Sequence, residues 1–83
     1  MRNMHVEITD KNITITCDKL PRLVSTVEAR PLPAEWTQEK LERALEAVFH
    51  CYEEGIVIDT PEKLFEVCAE IIVRIQDTFA RRD

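Results

Sequence analysis

Residues 4–17 read MHVEITDKNITITC. Met4, Val6 and Ile8 alternate with His5, Glu7 and Thr9, and Ile13, Ile15 and Cys17 alternate with Asn12, Thr14 and Thr16. Period two with β-branched residues means two strands, each with one buried face. Turning the chain at Asp10-Lys11, or over Thr9 to Asn12, sets Ile8 opposite Ile13, Val6 opposite Ile15 and Met4 opposite Cys17. All six apolar residues then share one face, and a slip of one residue would divide them between two. The turn has no Asn-Gly or Asp-Gly. Ile8 and Ile13 are both expected to be buried.

This hairpin needs cover, and the far end of the chain supplies it. Leu64, Phe65, Val67, Cys68, Ile71, Ile72, Ile75 and Phe79 recur at helical spacing. They fill an arc of about 160°, wider than one neighbouring element covers. The arc calls for a sheet and a second helix, or for a second copy of the chain. Asp59 or Thr60 caps this helix, Pro61 fits its first turn, and Arg74, Arg81 and Arg82 suit its negative end. Another amphipathic stripe, Leu41, Leu45, Val48, Phe49 and Tyr52, predicts a helix that starts between Pro33 and Thr37 and stops at Gly55. Between the helices, Ile56-Val57-Ile58 is either an edge strand or a plug.

Residues 22–30 are ambiguous. A strand aligns Leu23, Ser25, Val27 and Ala29; a helix aligns Leu20, Val24 and Val27. The β-branched cluster Val24, Thr26, Val27 favours a third strand. The expected fold is therefore α+β. An antiparallel β-hairpin or three-stranded meander over about 4–30 is packed by two antiparallel α-helices over about 34–54 and 60–81. Residues 1–83 make a single domain.

Composition narrows the function classes. The 45% hydrophobic and 33% charged fractions describe a globular chain rather than a disordered one. No long apolar run predicts a transmembrane helix or a secretory signal. Three cysteines without CxxC spacing predict free thiols and a cytoplasmic location, with Cys51 and Cys68 largely buried. The net charge of −5 is concentrated in residues 35–70, which hold ten acidic and three basic groups. That surface disfavours nucleic acid and anionic membranes, so neither is an expected partner. A helix-turn-helix reading around Gly55 fails for the same reason, because Glu62, Glu66, Glu70 and Asp77 would face the groove.

No catalytic, metal or cofactor motif emerges. His50 and Cys51 are adjacent and point about 100° apart on a helix, too far apart to act as base and nucleophile. His5, Cys17, Cys51 and Cys68 include no pair at zinc-ligand spacing. Trp36 reads as a staple at the start of the first helix, or as a binding anchor if exposed.

The sharpest feature is acidic. On a helix, Glu35, Glu39, Glu42, Glu46 and Glu53 lie within about 60° of one another, bordering the apolar stripe. Glu39–Arg43, Glu70–Arg74 and Asp77–Arg81 are favourable pairs, while Glu42–Glu46 and Glu62–Glu66 are mildly unfavourable ones. The functional reading is a site for a protein partner with a basic surface; the bland reading is a solvated helix face. Val67, Ile71 and Val73 are the candidate contacts of a homodimer built on the last helix. In size, acidity and architecture the chain resembles small cytoplasmic inhibitors such as immunity proteins and phage-encoded inhibitors of host defences, without sharing a motif with them. The expected function is a non-enzymatic protein-binding module, plausibly an inhibitor. The alternative is an assembly subunit that oligomerises through its C-terminal helix.

Overall fold

The computed structural model describes residues 3–81; Arg2 and Arg82 lie outside the described residues. The chain forms β1 (Met4–Ile8), β2 (Asn12–Cys17), β3 (Val24–Glu28), α1 (Gln38–Glu54) and α2 (Pro61–Ala80). The three strands make one antiparallel meander in the order β1-β2-β3. Both helices cover one face of it, α1 over β1 and α2 over β3 and β2. The fold is α+β, and residues 22–30 hold the third strand.

The hairpin register is the one that the alternation dictates: Met4 opposite Cys17, Val6 opposite Ile15, Ile8 opposite Ile13. Met4, Val6, Ile13, Ile15, Cys17 and Val27 are buried beneath Leu41, Leu45, Phe49, Leu64, Cys68 and Ile72 of the helices. On the other face, His5, Glu7, Thr26 and Glu28 meet solvent. Thr9 closes the turn without glycine. Its hydroxyl accepts from the Asn12 amide at 2.9 Å and the Lys11 amide at 3.3 Å, while the Thr9 amide donates to the Asn12 carbonyl at 2.9 Å. A side-chain oxygen thus bonds the backbone two and three residues on. Among the described residues no non-glycine takes a positive φ, so the primed turns of tight hairpins are excluded here. Ile8 departs from expectation: it is 38% exposed, although its register partner Ile13 is fully buried. It ends an edge strand at the rim of an open groove shared with Arg30, Pro31 and Leu32, where the helices no longer reach.

The first helix starts later than about 34. Residues 33–36 make a turn in which the Trp36 amide donates to the Pro33 carbonyl at 2.9 Å. Thr37 is the cap, extended at φ −86° and ψ 166°, and its side chain accepts from the Lys40 amide. Glu35 therefore precedes α1 rather than riding on it. Trp36 is half-buried against the core, in the staple position. At the other end Gly55, at φ 70°, lets its own amide reach the Tyr52 carbonyl and the Ile56 amide reach that of Cys51. This is the paired bonding of a left-handed helix stop. Ile56-Val57-Ile58 adds no strand; Ile58 plugs the core, and Ile56 and Val57 are exposed. Thr60 caps α2 by accepting from the Lys63 amide at 3.1 Å.

The wide apolar arc of α2 is covered mostly within the chain. Leu64, Phe65, Cys68 and Ile72 are buried, and Ile71 and Ile75 are packed against the core. The arc by itself no longer requires a second copy. Gln76, one turn beyond Ile72, is 1% exposed and donates to the Arg30 carbonyl at 3.1 Å. Arg30 also pairs with Asp77 at 2.8 Å. Asp77 thus bonds across to the segment after β3 instead of down its helix to Arg81.

Candidate protein-interaction surface

Glu42 and Glu46 have structural work. Glu42 is only 8% exposed, and its Oε2 accepts from the Val6 amide at 3.0 Å. Glu46 Oε1 accepts from the Asn3 amide at 2.9 Å. Two successive turns of α1 therefore reach down to the first strand: Glu42 satisfies the Val6 amide on the free edge of β1, and Glu46 the amide of the residue just before it. A buried amide left unpaired would cost about 1–3 kcal/mol, so Glu42 stabilises the edge it caps. It also places negative charge where an incoming strand would bring carbonyl oxygens. The sequence signal was the border position: both glutamates flank the apolar stripe, one step from Leu41 and Leu45.

The other acids of the set are dispersed. Glu39 pairs with Arg43 at 2.9 Å, and Glu53 with Lys19 at 2.8 Å. Lys19 also lies 5.8 Å from the Phe49 ring centroid, and the hydrogen bond and charge of Glu53 push its ammonium pKa up. Glu35 sits apart, in a shallow groove of about 260 Å³ with Pro33, Trp36, Arg74, Ile75 and Thr78. The candidate self-association residues also separate. Val67 and Ile71 share a small depression with Glu70 and Arg74. Val73 is displaced from them by roughly 140° around the helix and is 37% exposed.

The far edge of the sheet is different. The Val6 amide points at Glu42, away from β2, so Thr14 and Thr16 exchange backbone bonds with β1 while Ile13 and Ile15 face β3. The Ala29 amide bonds the Lys11 carbonyl at 2.9 Å in the same phase. Ser25 and Val27 therefore bond to β2, and the N–H and C=O groups of Val24, Thr26 and Glu28 point outward. No hydrogen bond among the described residues reaches them. The strand contains no lysine, proline or bulge, the usual guards of an edge. Val24 at its start is 57% exposed. One edge of this sheet has its central amide held by its own helix; on the other, no outward group is held among the described residues.

Groups capable of chemistry lie apart. His5 pairs with Asp18 at 3.0 Å on the sheet, and His50 with Glu54 at 3.2 Å on α1. Cys17 and Cys68 are buried free thiols, and Cys51 is half-buried rather than largely buried. Among the described residues no group of three or more histidine, cysteine or acidic side chains is placed to hold a metal ion. No described helix is long and apolar enough to cross a membrane. No protein-family model matches the chain, and no curated protein or solved structure is a significant match to it.

Burial pushes the Cys68 thiol up to about 12, with the neighbouring Cys17 adding to the shift. A thiol held protonated reacts slowly with alkylating reagents. Labelling of the native protein should modify Cys51 first and leave Cys17 and Cys68 until unfolding; early loss of Cys68 would contradict this packing. The sign of the pH effect follows. Below about pH 9, the ordinary value for a free thiol, it is protonated in both folded and unfolded chains. Between there and about 12 only the unfolded chain ionises, so Cys68 makes stability fall as pH rises through that window. A Cys68→Ser variant titrated in parallel should show a shallower alkaline decline.

Proposed function

We propose that the chain is a non-enzymatic protein-interaction module that takes a partner strand onto the open edge of β3. One observation carries this reading: Glu42 holds the central Val6 amide of the β1 edge, while among the described residues no bond reaches the outward backbone groups of Val24, Thr26 and Glu28. Strand addition derives affinity from main-chain bonds and specificity from alternate side chains. Thr26 and its neighbours would supply both.

A second reading keeps contact with a basic partner, as an inhibitor would make it, but moves it along the acidic half. Glu62 and Glu66 stand exposed on α2, and no ion pair reaches them among the described residues. They, with Glu39 and Glu53 on α1, are exposed acids of the helices that remain once Glu42 is buried.

Parallel capture with three immobilised baits separates the two: wild type, Thr26→Pro, and the double variant Glu62→Lys with Glu66→Lys. Proline removes one outward amide and is tolerated on an edge strand. Under strand addition, partners held by wild type are lost from Thr26→Pro and kept by the double variant, with little salt dependence. Retention by Thr26→Pro, with loss from the double variant and on raising salt, would place the contact on the helices instead.

A further inference from the structure

We infer that the strand taken up by β3 is β3 of a second copy, paired antiparallel about a two-fold axis at Thr26, so that two three-stranded sheets become one of six strands. This rests on the reading of β3 as the binding edge and adds the identity of its occupant. Three observations select a second copy.

The first is the symmetry of the bonding row. With Thr26 on the axis, it exchanges two backbone bonds with the partner's Thr26. Val24 exchanges two with the partner's Glu28, and Glu28 two with the partner's Val24. All three outward residues are then satisfied on both chains. Any shift of register leaves part of β3 unpaired.

The second is charge. The protein carries a net −5, which opposes self-association, but the edge does not share it. Lys19 is held by Glu53 and Arg30 by Asp77. The charges left along β3 and its approach are Arg22 and Glu28. In this register Glu28 lies opposite the partner's Val24, and the partner's Arg22, in the turn two residues before that position, is within reach of a long side chain. Thr26 faces the partner's Thr26, and exposed Val24 faces the aliphatic stem of the partner's Glu28.

The third is the flank of α2. Gln76 and Asp77 both bond to Arg30, just beyond β3, and so mark the side of α2 turned toward this edge. Val73 lies about 60° from Gln76 and about 40° from Asp77 around the helix. Its exposed methyl groups therefore stand above the open edge, where the α2 helices of two paired sheets approach.

Sedimentation velocity across a concentration series, joined to amide hydrogen exchange, tests this. Wild type should dimerise, and the amides of Val24, Thr26 and Glu28 should become protected as concentration rises. Thr26→Pro should stay monomeric with an unchanged circular dichroism spectrum. Arg22→Glu should weaken association by about 2- to 30-fold, two opposite-charge pairs per dimer being lost. Adding Glu28→Arg to it should restore association, which keeps the test decisive should the proline variant not fold. A wild type that remains monomeric at the highest concentration attainable would overturn the inference. So would a dimer whose Thr26 amide exchanges freely, or one that Arg22→Glu leaves unaltered. If wild type is monomeric yet Thr26→Pro loses a captured partner, strand addition stands and only the second copy fails; if Thr26→Pro keeps its partners, the reading of the edge itself fails.

Discussion

Glu42→Lys is expected to lower folding stability by about 3–5 kcal/mol, the cost of leaving a buried charge without its partner. The residue is 8% exposed, and its carboxylate accepts from the Val6 amide at 3.0 Å. Lysine would remove that acceptor and direct an ammonium toward an N–H donor in the same space. A chain of 83 residues has a total stability of only about 4–12 kcal/mol. The variant should therefore be partly or wholly unfolded in mild denaturant. Glu42→Gln keeps an acceptor oxygen in place and should cost about 1 kcal/mol, the net value of an ordinary hydrogen bond. Urea denaturation of the three proteins gives the comparison. Equal stability of Glu42→Lys and wild type would show that the glutamate is a solvated surface group. It follows that a charge reversal across Glu39, Glu42 and Glu46 cannot serve as a neutral probe of partner binding, because Glu42 alone would damage the fold.

Ile15→Ala should be comparably severe, at about 2–5 kcal/mol. Ile15 is fully buried in the central strand, in register with Val6 on one side and Ser25 on the other. Truncation loses the transfer energy of three carbons and leaves a cavity that both flanking strands hold open. Ile15→Val should cost about 0.5–1.5 kcal/mol. Val24→Ala, two strands from β1 and on the solvent face, should fall within about 0.5 kcal/mol of wild type. Thermal denaturation of the series, at a concentration low enough to keep the chains apart, checks the ranking. A tolerant Ile15→Ala would mean that β2 does not lie beneath the helices.

Much of this architecture was legible because its signals are local. Alternation in β1 and β2 determined both strand and register, since only one pairing gathers Met4, Val6, Ile13, Ile15 and Cys17 under the helices. Thr37, Gly55 and Thr60 marked helix ends through the chemistry of their caps. What escaped sequence reasoning depends on partners distant in the chain. Residues 22–30 become a strand because β2 offers its second edge; nothing within Leu23 to Arg30 decides it alone. Glu42 and Gln76 occupy helical positions that look amphipathic or interior. Their roles appear only when the Val6 amide and the Arg30 carbonyl arrive from 36 and 46 residues away. Asp77 chose Arg30 over Arg81 for the same reason. Ile8 lost its expected burial because periodicity reports which face a residue takes and not how far the covering helices extend.

The acidic set shows the same division. Glu35, Glu39, Glu42, Glu46 and Glu53 converge on a helical wheel, but the folded chain disperses them. Glu35 precedes α1, Glu42 and Glu46 reach the backbone at Val6 and Asn3, and Glu39 and Glu53 bond to Arg43 and Lys19. The open edge of β3 carries no composition signal, because what distinguishes it is the absence of a neighbouring strand.

The Val6 amide on one edge of this sheet and the outward amides of β3 on the other differ in kind, and residue-resolved amide hydrogen exchange on dilute protein measures the difference. At concentrations where the chains stay apart, the Val6 amide should exchange slowly, as the amides of Ile13 and Ile15 do. The amides of Val24, Thr26 and Glu28 should exchange nearly as fast as an unstructured peptide. A Val6 amide as fast as that of Thr26, or a Thr26 amide as protected as Val6 in the dilute monomer, would contradict the account.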